Sequence, residues 1–79
     1  MLEPIELRIL ECLEDESRAM RAGEIAPLID ATFQLVGRRT SKLNEQGLID
    51  KTKIGTGYST SKISERARAT YFPKEQSGN

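Results

Sequence analysis

Seventy-nine residues, 37% hydrophobic and 30% charged, suffice for one small globular domain and are too apolar for a disordered chain. A single cysteine excludes an internal disulfide, and the lack of any histidine removes the commonest general base and metal ligand, so the composition argues against an enzyme and against a metal site. Net charge is zero, yet residues 1–30 hold eight acids and three bases (net −5) while residues 31–79 hold nine bases and four acids (net +5), a division that lets one half face a polyanion.

No apolar run approaches the roughly 20 residues needed to span a bilayer. The acidic N-terminal stretch MLEPIELRILECLEDE does not fit a secretory signal, so cytoplasm is the expected compartment.

Residues 4–16 read as a first helix, with Pro4 at its first position, where a missing N–H costs nothing. At about 100° per residue, Leu2, Ile5, Ile9, Cys12 and Leu13 share one apolar stripe, with Leu10 at its edge and Leu7 beside Leu10. Leu7 and Leu10 are therefore candidates for a subunit contact, and Cys12 is expected as a small core residue. Residues 17–22 form a connector with a short strand near Met20. Residues 23–30 read as a short second helix whose apolar face is Ile25, Leu28 and Ile29, although Pro27 would remove one backbone bond.

A third helix is expected over 32–46, N-capped by Thr32, with Phe33, Val36, Thr40 and Leu43 toward the core. Gly47 suits the left-handed position that ends it. The period then changes. Residues 48–54 and 58–63 read as two strands around the turn Gly55-Thr56-Gly57, a hairpin carrying lysines. Ser64 can cap a last helix, 65–72, that Pro73 stops. Ala67, Tyr71 and either Ala69 or Phe72 would pack it back, and for Tyr58 and Tyr71 core packing is favoured over base stacking. Residues 74–79 are expected to be a disordered tail after a domain spanning 1–73.

Helices 2 and 3 are separated only by Asp30, Ala31 and Thr32 or so, the spacing of a helix-turn-helix. The side of helix 3 opposite the core carries Gln34, Arg38, Ser41, Lys42 and Glu45, with Leu35 near Gln34. Arginine can donate two bonds to guanine and glutamine to adenine, while an exposed leucine can touch a thymine methyl. Arg39 and Lys42, at the flanks, suit phosphates. Lys51, Lys53 and Lys62 would lie on the hairpin near the adjoining backbone or minor groove, with Thr56 small enough at the tip to enter it.

The run GEIAPLID–ATFQLVGRRTSKLNEQGLIDK resembles the helix-turn-helix of MarR- and ArsR-type winged-helix regulators, most closely at Ser41-Lys42-Leu43-Asn44-Glu45-Gln46-Gly47-Leu48-Ile49, their join between recognition helix and wing. Tyr58 to Arg68 resembles their second wing strand and the start of the next helix, with Ala67 where the family often has Gly. Thr40 stands where a larger apolar residue is usual, and the long dimerisation helices of MarR-type proteins are missing, which leaves the dimer mode open. The resemblance, over roughly residues 5–72, implies an α+β, mostly α fold: a three-helix core, a two- or three-stranded wing and a short C-terminal helix.

The implied function is sequence-specific binding of double-stranded DNA in transcription regulation. Helix 32–46 would enter the major groove and the wing 49–63 would lie on the backbone or minor groove. The implied DNA-binding set is Thr32, Gln34, Leu35, Arg38, Arg39, Ser41, Lys42, Lys51, Lys53, Thr56 and Lys62. A homodimer through Leu7, Leu10, Tyr71 and Phe72 is expected, with no cofactor, metal or membrane partner. A winged helix used for protein contact is the alternative, favoured by the acidic first helix and zero net charge.

Overall fold

The structure, a computed structural model, describes residues 1–74. Helices α1 (Pro4–Glu16), α2 (Ala22–Leu28) and α3 (Phe33–Glu45) precede strands β1 (Ile49–Gly55) and β2 (Tyr58–Ile63) and helix α4 (Glu65–Tyr71). Four helices and a two-stranded antiparallel sheet thus make up the expected α+β, mostly helical class. Of the expected tail, residues 75–79 lie outside the described residues.

Local chemistry sets most of these boundaries. Pro4 opens α1, and the Glu6 carboxylate accepts the Glu3 N–H at 3.0 Å. Glu24 does the same for the Arg21 N–H at the start of α2, at 2.9 Å. Thr32 caps α3 as expected, its hydroxyl accepting from the Leu35 N–H at 3.2 Å. The end of α3 is closed by Gly47, left-handed at φ 78°. Its N–H donates to the Asn44 carbonyl (3.0 Å) and the Leu48 N–H to the Leu43 carbonyl (2.9 Å), with Leu43 and Leu48 both buried. Helix α2 starts one residue before and stops two residues before the expected 23–30: Asp30 turns left-handed at φ 57° and the Ala31 N–H closes back on the Ala26 carbonyl at 3.0 Å. Just past this end the Arg8 guanidinium donates to the Ile29 carbonyl.

The core lies around α1, which contacts α2, α3 and β2. Ile9, Leu10, Met20, Ile25, Val36, Leu43 and Ala67 are fully buried, with Leu13, Ile49 and Ile63 beside them. Cys12 is buried as expected. Three packing expectations need correction. Leu10 belongs to the centre of the core, because α1 is covered on several sides and its apolar sector is wider than the stripe. Phe33 is 60% exposed and lines the open cleft between α2, α3 and the hairpin instead of the core. Leu28, at the exposed end of α2, also faces outward.

In the hairpin, Ile49 pairs with Ile63, Lys51 with Ser61 and Lys53 with Ser59 on one face, while Asp50 pairs with Lys62 and Thr52 with Thr60 on the other. Ile54 sits at a register shift between Lys53 and Gly55. The strand expected near Met20 is a single bridge: the Met20 N–H reaches the Ser61 carbonyl at 2.9 Å and the Ser61 N–H returns at 2.7 Å. That bridge ties the base of the hairpin to the connector before α2.

Candidate nucleic-acid interface

Helix α3 carries two charged faces with different surroundings. Gln34, Arg38, Ser41 and Glu45 are exposed on the side away from Val36, Thr40 and Leu43. Arg38 forms no ion pair or hydrogen bond among the described residues. Thr40 is buried with its hydroxyl donating to the Gly37 carbonyl at 3.0 Å, so the polar group is satisfied within the helix.

Arg39 turns the other way. Its Nη1 lies 2.6 Å from a Glu3 oxygen and 3.3 Å from Glu6 Oε2, and the side chain is three-quarters covered. The phosphate role expected for Arg39 is therefore corrected: its guanidinium is spent holding α3 to α1. Lys42 is partly drawn to the same acid, with Nζ 3.6 Å from Glu6 Oε2, but keeps half of its side chain in solvent. Leu35 is half-buried on this flank, not on the exposed face with Gln34.

Glu6 organises this flank, and the sequence reading missed it. The residue is only 1% exposed. Burial alone would raise its pKa. The Glu3 N–H, the charge of Lys42, and the hydrogen bond and charge of Arg39 outweigh that and hold it below the usual 4.5. A signal existed, because at about 100° per residue Glu6 falls between Leu13 and Leu10, inside the apolar sector of α1. An acid there must be paired.

The hairpin adds cations beside the exposed face. Lys51 is fixed to α3 twice: its Nζ donates to the Ser41 hydroxyl at 3.0 Å and its N–H to Asn44 Oδ1 at 3.3 Å. Lys53, on the same face, and Thr56, at the tip, are exposed. Lys62 is exposed on the opposite face beside Asp50, so it does not join Lys51 and Lys53.

Between α2, α3 and the hairpin runs a cleft of about 510 Å³, lined by Arg21, Gly23, Phe33, Gly37, Lys51 and Tyr58 among others. Tyr58 is not a packing residue as expected. It is 43% exposed, its ring lies over Gly55, and the Arg21 guanidinium sits 4.8 Å from the ring centroid. Tyr71 is also exposed, at 37%, whereas Phe72 and Leu7 are half-buried. Leu10, being interior, is not available to a partner subunit, which corrects that part of the expected contact.

Among the described residues, no group of three or more possible ligands could hold a metal ion, and no helix is long and apolar enough to cross a membrane. The chain is similar in structure to RV1404 from Mycobacterium tuberculosis, with a TM-score of 0.75 at 20% identity over 85% of this chain. It spans 46% of that protein's crystallised chain. No protein-family model and no curated protein matches the sequence. At this identity the likeness concerns the fold, which the two chains share over most of the present one.

Proposed function

We propose that this chain is a winged helix-turn-helix domain that binds double-stranded DNA sequence-specifically, as a transcriptional regulator. Helix α2 and helix α3 form the helix-turn-helix, α3 is the recognition helix, and β1–β2 is the wing. The observation that carries the reading is the exposed, uncommitted face of α3 with Gln34 and Arg38, flanked by Lys51 and Lys53. A helix of 13 residues with one open polar face fits the major groove, where paired donors distinguish guanine and adenine. Lys42, Lys51 and Lys53 supply phosphate contacts, which position the domain without reading sequence. Of the acids in or beside α1 and α2, Glu3, Glu6, Glu14, Glu16 and Glu24 share three arginines, Arg18, Arg39 and Arg68, and Glu24 lines the cleft beside Phe33 and Lys51. A homodimer on a pseudo-palindromic site follows from the few base pairs one helix can read.

The test is selection of bound sequences from a random duplex pool, with binding to unselected duplex measured against salt. A DNA reader enriches a defined motif and binds random duplex weakly, with a steep salt dependence. No association at low salt would exclude the reading and favour the alternative, a winged helix used for protein contact.

A further inference from the structure

The cleft beside the reading face contains two features that the fold does not need. Phe33 is the most exposed aromatic side chain among the described residues and contributes nothing to the core. Gly37, one turn further along α3, sits in mid-helix, where glycine is less favourable than alanine. A Cβ at Gly37 would meet nothing within 4 Å, so no neighbour requires the glycine there. Phe33 and Gly37 together make an apolar notch with no protein group in it, rimmed by Gln34, Arg38 and Ser41.

The chemistry of this notch selects its occupant. In the major groove, the edges of the base pairs are hydrogen-bonding groups with one apolar exception, the 5-methyl group of thymine. We propose that Phe33 and Gly37 form a methyl-reading notch that specifies thymine next to the base pair contacted by Arg38. The proposal rests on the DNA-binding reading above and adds a specificity-determining residue to it. It also reassigns the methyl contact expected of Leu35, which is half-buried on the far flank of α3. Phe33 supplies the apolar wall. Gly37 keeps the space that any side chain would fill.

The contact is tested by deleting single methyl groups from the ligand. The duplex selected from a random pool by the full chain is remade with each thymine replaced in turn by uracil, which changes one methyl and no hydrogen-bonding group. Wild type is expected to lose roughly three- to ten-fold in affinity at one thymine per half-site, the worth of one buried methyl. Phe33→Ala, a change at an exposed position, should bind the thymine and uracil duplexes equally. Gly37→Ala should melt at a higher temperature than wild type yet bind the thymine duplex more weakly, which separates the notch from folding. A selected motif without thymine, indifference of wild type to every replacement, retained discrimination in Phe33→Ala, or unchanged affinity in Gly37→Ala each overturns the proposal. Failure to bind any duplex overturns the DNA reading as well, so the two failures are distinguishable.

Discussion

Two arginines adjacent in the chain do unrelated work, because 100° of helical rotation separates them. Arg38 points to solvent with nothing to hold it, and Arg39 is clamped by Glu3 and Glu6. Their truncations should therefore differ in kind. Arg38→Ala is expected to lower affinity for the preferred duplex by about 1–3 kcal/mol and relax the preference at one base pair, leaving thermal stability unchanged. Competition binding with single-base variants of the site checks this, and an unaltered preference would remove Arg38 from the reading role. Glu6 predicts a pH effect. Its folded pKa lies below the ordinary 4.5, so its contribution to stability is present above that value and is lost as pH falls through the folded one. Glu6→Gln should thus melt below wild type at neutral pH, with the gap closing in acid. Melting curves between about pH 7 and pH 3 would reveal a constant gap if the carboxylate were unimportant. Cys12 is held above its ordinary thiol pKa by burial and then by Glu16 and Asp15, so it should react slowly with thiol reagents in the native protein.

The elements are joined by a few residues that serve two elements at once. Ser64 accepts the Ala67 N–H at the start of α4 and donates its hydroxyl to the Gly47 carbonyl at 2.9 Å, while its own N–H reaches the Leu48 carbonyl. The Arg66 guanidinium adds a bond to the Gln46 carbonyl at 3.2 Å. The join between α3 and β1 is thus bolted to α4, and the angle of the hairpin relative to α3 is set there. Ser64→Ala removes both side-chain bonds at a buried position and should cost about 1–3 kcal/mol of stability. Chemical denaturation measures it; a loss under about 0.5 kcal/mol would mean the join is held by packing alone. At the other edge of the hairpin, the Met20–Ser61 bridge ties β2 to the connector. The free end beyond Lys53 is left to extend from this base.

Across the molecule, a chain of zero net charge distributes its charges unevenly: Arg38, Lys51 and Lys53 lie on α3 and the hairpin, while Glu3, Glu14 and Glu16 are paired with other arginines. On the DNA-binding reading proposed above, the lysines on the hairpin face contact phosphate. Lys53→Ala should weaken binding to all duplexes alike and reduce the salt slope by about one unit, the signature of a single lost phosphate contact. An unchanged slope would place Lys53 off the backbone. Assembly is the other whole-molecule property. With Leu10 interior, a subunit contact through α1 and α4 is reduced to Leu7, Tyr71 and Phe72, and only Tyr71 of these is well exposed.

How far the sequence alone reaches depends on the range of the interaction. The extents of α1 and α3, the Thr32 and Ser64 caps, the Gly47 stop and the hairpin turn were legible because each depends on residues within about five positions. The open side of α3 was legible in the same way, from helical periodicity. Tertiary structure decided the rest. Whether Leu10 is an edge or a centre depends on how many elements cover α1, and whether Phe33 is core or surface depends on what lies beneath the first turn of α3. The division of labour between Arg38 and Arg39 required knowing that Glu6, 33 residues earlier than Arg39, lies against the same flank. Periodicity specifies which side of a helix a residue occupies, but the partner on that side is chosen by packing between elements distant in the chain.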